Sequence, residues 1–153
     1  MKTVTRHVEF EMAHLLPKYP GRCANLHGHT YKLEVTVAST KEVNDSPYGF
    51  IIDFKTLDAI LKDCVPDHMF AYNQNAADDS VEWEIVEVLK KHGLALAPFK
   101  AVTSAENMID ELIETISKFL PEGLVIVRAD LWETTNSHAT RITPEYAKYL
   151  SIS

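Results

Sequence analysis

Cysteine, basic residues and long apolar runs are scarce in this sequence, and each scarcity excludes something. The two cysteines, Cys23 and Cys64, stand in different contexts, and in a reducing compartment we expect free thiols rather than a disulfide. The 15 basic and 22 acidic side chains give a formal net charge of −7 without any Lys/Arg cluster, which argues against a nucleic-acid surface. No run of about 18 apolar residues indicates a membrane span. No apolar run follows a basic N-terminus either, so we expect a cytoplasmic protein without a signal peptide.

The sequence does contain enough apolar residues for a core. Its 153 residues and hydrophobic content of 46% predict one domain over residues 1–153, with no internal repeat. The negative net charge does not exclude an anionic small substrate, because a metal ion and a few basic side chains can make a positive pocket in an acidic protein.

Two alternating segments carry histidines on their apolar sides. In segment 4–14 the even-numbered apolar residues predict a half-buried strand whose inner face ends at His14. In segment 27–37, His27 and His29 share the parity of the apolar residues that follow, so two neighbouring strands would aim three imidazoles into one pocket. Hydrogen-bonded histidines at strand ends are the alternative. Three inward imidazoles favour Zn²⁺, which at catalytic sites usually takes three protein ligands and keeps one position open.

Three helical patterns follow these strands. The first runs from about Asp53 to Cys64, with Cys64 on its apolar stripe, and leaves Asp67 and His68 in a loop beyond its end. A second pattern has apolar residues at helical spacing, namely Val81, Ile85, Val88 and Leu89.

The third helix and a last strand complete the organisation. The helix is predicted to begin at a capping box formed by Thr103 and Glu106. In the strand, Glu133 continues the parity of Val125, Val127, Ala129 and Leu131, so its carboxylate is expected on the inner face. A solvated glutamate at the rim of the sheet is the alternative.

Several of these segments resemble one known family. The run FEMAHLLPKYPGRCANLHGHTYKLEV is similar over almost its whole length to the 6-pyruvoyl-tetrahydropterin synthase and 6-carboxy-tetrahydropterin synthase family. Later landmarks of that family follow in order, namely GFIIDFKTL, Asp67-His68, TSAEN and Trp132-Glu133-Thr134. The resemblance therefore covers most of the chain.

The resemblance implies the tunnelling (T-) fold, an α+β architecture with an antiparallel four-stranded sheet and helices on one face. Such subunits assemble around a barrel, usually as hexamers built from two trimers, with active sites between subunits. Assembly would also cover sheet edges that are otherwise open. The segment 74–101 is long against the family's usual connection, and we expect a helical insertion there, at a subunit interface or over the pocket.

The resemblance also implies a substrate and a role for each site residue. From 7,8-dihydroneopterin triphosphate a weakly acidic side-chain proton is removed, while Zn²⁺ on His14, His27 and His29 stabilises the developing charge. Glu133 is expected to accept hydrogen bonds from the ring NH and amino groups of the pterin.

Three further residues would handle the proton. Cys23 is the expected base, and His68, oriented by Asp67, would exchange the proton with it. The alternatives are that Cys23 is a fourth zinc ligand or an idle thiol, and that Asp67 and His68 are a surface pair.

The spacing between Cys23 and His27, with three residues between, resembles the 6-carboxy members, whereas the 6-pyruvoyl synthases typically have a longer gap. We therefore expect a 6-carboxy-5,6,7,8-tetrahydropterin synthase, which releases acetaldehyde and triphosphate on the route to queuosine and other 7-deazaguanines. The alternatives are a 6-pyruvoyl-tetrahydropterin synthase of the biopterin pathway, a non-catalytic zinc- and pterin-binding protein, and a zinc hydrolase in which Cys23 is incidental.

Overall fold

The structure is a computed structural model that describes residues 2–40, 47–144 and 146–147. Its elements in chain order are strand β1 (Thr3–His14), a short 3-10 helix (Arg22–Ala24), β2 (His27–Ser39), helix α1 (Phe54–Cys64), β3 (Met69–Asn73), α2 (Val81–Lys91), β4 (Leu96–Phe99), α3 (Ala105–Ser117), β5 (Leu124–Thr134) and β6 (Ser137–Ile142). Within the described residues, no helix is long and apolar enough to cross a membrane.

The strands form one sheet in the order β4-β3-β1-β2-β5-β6. Strands β1, β2, β5 and β6 pair antiparallel, which confirms the predicted four-stranded antiparallel sheet and the α+β class. Two short strands that were not predicted, β3 and β4, extend it in parallel, and α2 makes the crossover that a parallel pair requires. The segment 74–101, expected to be a helical insertion, thus contains both α2 and β4.

The main core lies between one face of the sheet and helices α1 and α3, as predicted. Its members include side chains of β2, α1 and α3, namely Leu33, Val35, Val37, Leu57, Leu61, Met108, Leu112 and Ile116. Arg6 stands on the inner side of β1, and its guanidinium donates to Asp58 of α1 at 2.9 Å, so its charge is paired where the strand meets the helix. Cys64 packs against this core, as its place on the apolar stripe predicted.

Helix α2 departs from the prediction that the helices share one face. It packs on Phe70 and Tyr72 of β3, and Phe70 pairs with Ala13, whose side chain alternates with those that face the main core. These residues form a second core cluster with Val86 of α2. Helix α2 therefore covers the opposite face at the β3–β4 edge.

The buried side of α2 agrees with the predicted apolar pattern only in part, because Ile85 and Leu89 pack against the second core cluster and the other two members do not. Val81 and Val88 are exposed, whereas Val86 and Glu82 are buried. Glu82 is inside because its carboxylate accepts a hydrogen bond at 3.1 Å from the backbone N–H of Asn73, at the end of β3. The buried side of α2 therefore includes a carboxylate that hydropathy alone does not predict.

Two local predictions near the site were also wrong. In β5, a bulge lies opposite Thr36 and Val37, so Ile126, not Val127, joins the main core, and the predicted parity holds only from Ala129 onward. At α3, Ser104 is the N-cap in place of Thr103, and its hydroxyl accepts from the backbone N–H three residues on. The side chain of Thr103 instead contacts a histidine of the site.

Candidate functional site

The three histidines predicted to share a pocket lie together at one end of the β1–β2 ladder. His14, the last residue of β1, pairs directly with His27, the first residue of β2. His29 lies two residues further along β2, on the same face. One potential ligand atom from each ring lies within 4.8 Å of the other two. The structure thus brings the three imidazoles together.

Backbone carbonyls fix the tautomers of two of these rings. Nδ1 of His14 lies 2.8 Å from the carbonyl oxygen of Thr103, and Nδ1 of His27 lies 2.7 Å from that of Asn25. A carbonyl only accepts, so each Nδ1 carries the proton, and in a neutral ring Nε2 is then an unprotonated acceptor. The two Nε2 atoms face each other at 3.2 Å. Two lone pairs this close repel each other unless a cation neutralises them.

A proton is a poor candidate for that cation. His14 is only 1% exposed, and burial lowers the pKa of its imidazole to about 4, with the neighbouring His27 and His29 contributing. Burial also lowers the pKa of His29. Neutral imidazoles with Nδ1–H held by carbonyls are the form in which histidine binds metals. The cluster is therefore able to hold a metal ion.

Glu133 and Tyr31 border the same space. The Glu133 carboxylate lies 4.0 Å from Nε2 of His14. A register shift between Trp132 and Thr134 falls at Glu133, the kind of irregularity that re-aims a side chain beside a functional site. Tyr31 is fully buried, and its hydroxyl lies 3.3 Å from Nε2 of His14. Burial first, and then the Glu133 carboxylate, raise the pKa of Tyr31.

Cys23 lies in the 3-10 helix between the two histidine-bearing strands. Its carbonyl accepts from the backbone N–H of Leu16 at 2.8 Å, which folds the β1–β2 connection back towards β1. Cys23 is half-buried, and both it and Cys64 are free thiols, as predicted.

Asp67 and His68 form a second group, which hydrogen bonds to the backbone of β1 hold in place. The Asp67 carboxylate accepts from the backbone N–H of Glu11 at 2.8 Å and lies 2.9 Å from Nδ1 of His68. The bond from Glu11 is the main cause that lowers the pKa of Asp67, and His68 adds to it. The backbone N–H of His68 donates to the Glu11 carbonyl, and its φ of 57° places it in the left-handed region.

The pair does not join the histidine cluster within one chain. The His68 side chain is 77% exposed and lines a groove of about 540 Å³ with Glu11 and Thr30, whose side chains alternate with those that face the core. His29 also borders this groove. Among the described residues, no hydrogen bond or ion pair links Asp67 or His68 to Cys23 or to the three histidines.

Sequence reasoning missed three residues at the site. Tyr31 shares the parity of His27 and His29. The alternation that identified the two histidines was therefore a signal that could have placed Tyr31 in the pocket as well. Thr103 and Asn25 contribute backbone carbonyls, and no side-chain pattern reports such a contact.

These features define an α+β protein with a three-histidine centre able to hold a metal ion. The family described as 6-pyruvoyl tetrahydropterin synthase matches residues 3–143. The chain belongs to this family. Its membership supports an enzyme of the tetrahydropterin synthase type with a pterin substrate.

Two relatives bear the name 6-carboxy-5,6,7,8-tetrahydropterin synthase. The chain is 32% identical over 140 residues to that of Haemophilus influenzae, covering 90% of this chain and 96% of the relative. It is 33% identical over 126 residues to that of Aquifex aeolicus, covering 77% of this chain and 74% of the relative.

Solved structures confirm the tunnelling fold. An uncharacterized protein from Wolinella succinogenes superimposes with a TM-score of 0.70 at 17% identity, covering 93% of this chain and 98% of that chain. The 6-pyruvoyl tetrahydropterin synthase of Caenorhabditis elegans superimposes with a TM-score of 0.63 at 22% identity, covering 93% and 95%.

Proposed function

We propose that the protein is a zinc-dependent 6-carboxy-5,6,7,8-tetrahydropterin synthase that acts on 7,8-dihydroneopterin triphosphate in 7-deazaguanine biosynthesis. The names of the relatives at 32% and 33% identity support this branch. The observation that carries the proposal is the convergence of the unprotonated Nε2 atoms of His14 and His27 beside the Glu133 carboxylate. A cytoplasmic location stays a prediction.

His14, His27 and His29 would hold the metal through nitrogen atoms, leaving a position open for substrate. Bound zinc would supply Lewis acidity to the substrate's side-chain hydroxyls. The carbonyls of Thr103 and Asn25 keep the rings of His14 and His27 in the tautomer and orientation that this requires. Burial of His14 keeps it neutral at pH 7 and therefore available.

Glu133 binds the pterin ring in this proposal. An ionised carboxylate accepts two parallel hydrogen bonds, which matches a ring NH and the adjacent amino group. Because the Glu133 carboxylate lies 4.0 Å from Nε2 of His14, a pterin ring bound to it would lie next to the metal centre and its side chain would extend towards the histidines.

Cys23 removes the substrate's side-chain proton, and His68, oriented by Asp67, exchanges that proton with Cys23. Because His68 is exposed and lines a groove on the other side of the sheet, a second copy of the chain would present its His68 to Cys23. Active sites of this kind lie between subunits, which supports a homo-oligomer, and we propose a hexamer of two trimers. Within the described part of the chain, β4 and β6 are the outermost strands of the sheet, and strand pairing between copies would use such edges.

The reaction cleaves the three-carbon side chain of the substrate. One carbon stays on the ring as the carboxyl group, two leave as acetaldehyde, and triphosphate is released. The three products together contain one oxygen and two hydrogen atoms more than the substrate, so one water molecule is consumed.

Product analysis tests the proposal. Zinc-loaded protein is incubated with 7,8-dihydroneopterin triphosphate, and the products are identified by mass spectrometry. The proposal predicts 6-carboxy-tetrahydropterin together with acetaldehyde. Unchanged substrate would contradict it and would favour a protein that binds pterin without turnover.

A second candidate is 6-pyruvoyl-tetrahydropterin synthase, which the description of the matching family favours. It eliminates triphosphate and keeps all three side-chain carbons, so the masses of the products separate the two branches. A zinc hydrolase would keep its activity in Cys23→Ala, whereas both synthase branches would lose it.

A further inference from the structure

Tyr31 is a buried side chain that borders the site, yet the proposed mechanism gives it no part. Its ring stacks on Phe10 at a centroid distance of 5.4 Å and meets His29 edge-on at 5.3 Å. It is fully buried, so packing holds the ring in one place. Its hydroxyl is therefore a fixed group in the wall of the pocket.

Two hydrogen-bond acceptors lie near the Tyr31 hydroxyl. Nε2 of His14 lies 3.3 Å away and carries no proton, because Nδ1 of that ring donates to Thr103. Glu133 is the second, since its carboxylate lies 4.0 Å from the same Nε2, beside the tyrosine hydroxyl that lies 3.3 Å from it. One O–H can be donated fully to only one of them.

A metal ion on His14 removes the first acceptor. Coordination uses the lone pair of Nε2, so the Tyr31 hydroxyl can no longer donate to it. The Glu133 carboxylate then becomes its acceptor, and a hydrogen bond to an ionised carboxylate is among the stronger kinds. That bond would hold the carboxylate in one orientation.

Building on the proposed function, we propose that Tyr31 is a positioning residue that couples metal binding at His14 to binding of the pterin ring at Glu133. Metal binding at His14 frees the hydroxyl to orient Glu133, and an oriented Glu133 binds the ring more tightly. Because coupling between two binding sites is reciprocal, a bound ring also strengthens metal binding by the same factor.

Unsubstituted pterin is the probe, because it presents the ring NH and amino group but has no side chain to reach the metal. Its fluorescence is titrated with protein, with and without zinc, for the wild type, Tyr31→Phe and Tyr72→Phe. Tyr72 is the matched control, since it is also buried but belongs to the second core cluster beside α2. Zinc content and thermal unfolding of both variants report whether each has folded and kept its metal.

We expect zinc to tighten pterin binding about fivefold or more in the wild type and in Tyr72→Phe, the size of an ordinary coupling between sites. In Tyr31→Phe the zinc content stays stoichiometric, and binding is weak with or without zinc. A zinc effect that persists in Tyr31→Phe, or one that is absent from a wild type that binds pterin, overturns the inference. A wild type that binds no pterin in either form overturns the proposed function and the inference with it.

Discussion

The histidine cluster lies at the end of the β1–β2 ladder, whereas the Asp67–His68 pair lies in the turn before β3, beside β1, and the two groups differ in burial and in partners. His14 is 1% exposed, and its ring is surrounded by His27, Tyr31 and the Thr103 carbonyl. The His68 side chain is 77% exposed and contacts the Asp67 carboxylate, and the His68 backbone N–H donates to the Glu11 carbonyl.

This difference indicates that a single chain can bind the metal by itself but cannot by itself bring the Asp67–His68 pair to the histidine cluster. The cluster has its ring tautomers and neutral state set by contacts within the chain, so it can bind a metal unaided. The pair is preorganised as well, by the left-handed backbone at His68 and the carboxylate of Asp67, but it faces outward. We infer that it acts on a neighbouring copy, and the predictions below test this difference between the two groups.

Removal of a cluster histidine should have the largest effect. His27→Ala removes a nitrogen ligand, so zinc affinity should fall and turnover should be lost. The fall should exceed the roughly 10- to 100-fold loss that follows when a residue hydrogen-bonded to a metal ligand is replaced. His68→Ala should keep one zinc per chain while losing turnover. Metal content by plasma mass spectrometry after dialysis against a weak chelator measures both, with exposed His92→Ala as the control. Full zinc in His27→Ala would refute the ligand assignment.

Mixing two inactive variants tests whether the pair acts between copies. Cys23→Ala and His68→Ala are unfolded together and refolded as mixed oligomers. Random assembly of two subunit types would pair an intact Cys23 with an intact His68 at about one quarter of the sites. Activity should therefore return to roughly that fraction of the wild-type value. A mixture that forms oligomers but stays inactive would place the whole site within one chain.

Acid should destabilise the metal-free protein through the cluster. Burial lowers the pKa of His14 from 6.5 to about 4. Between these pH values the His14 imidazole is protonated in the unfolded chain but stays neutral in the folded chain. Stability is then fully present above pH 6.5 and is lost as the pH falls towards 4, by about 2–3 kcal/mol. His29 acts in the same direction. Urea unfolding at pH 7 and pH 4.5 in the presence of a chelator measures the change.

The matched variants for this experiment are His14→Gln and His92→Gln. His14→Gln removes the buried imidazole and should flatten the pH dependence, whereas His92→Gln changes an exposed histidine outside the cluster and should preserve it. Equal stability at both pH values in the wild type would mean that His14 is not held neutral by burial.

How far the sequence predicts this site depends on how regular each strand is. Strands β1 and β2 are long, bury one face and pair without a shift, so simple alternation placed His14, His27 and His29 together. Strand β5 contains a bulge, and its first half therefore contradicted the predicted parity at Val127. Alternation cannot report a bulge, because one extra residue reverses every assignment on one side of it.

The helices show a second reason why local sequence patterns fail to predict parts of the structure. The apolar stripe of α1 correctly placed Cys64 against the core, but α2 buries Glu82, whose carboxylate accepts from a backbone N–H at the end of β3. The predicted N-cap of α3 was Thr103, but the Thr103 side chain contacts His14 and Ser104 is the N-cap. Both outcomes depend on tertiary partners distant in sequence, which local patterns do not contain.

X-ray absorption at the zinc edge would test the central claim most directly, namely that three histidines hold the metal while Cys23 stays free as the base. For the zinc-loaded wild type we predict only nitrogen and oxygen neighbours, at about 2.0 Å, and the same spectrum for Cys23→Ala. A sulfur neighbour at about 2.3 Å that disappears in Cys23→Ala would make Cys23 a fourth ligand and contradict its role as the base.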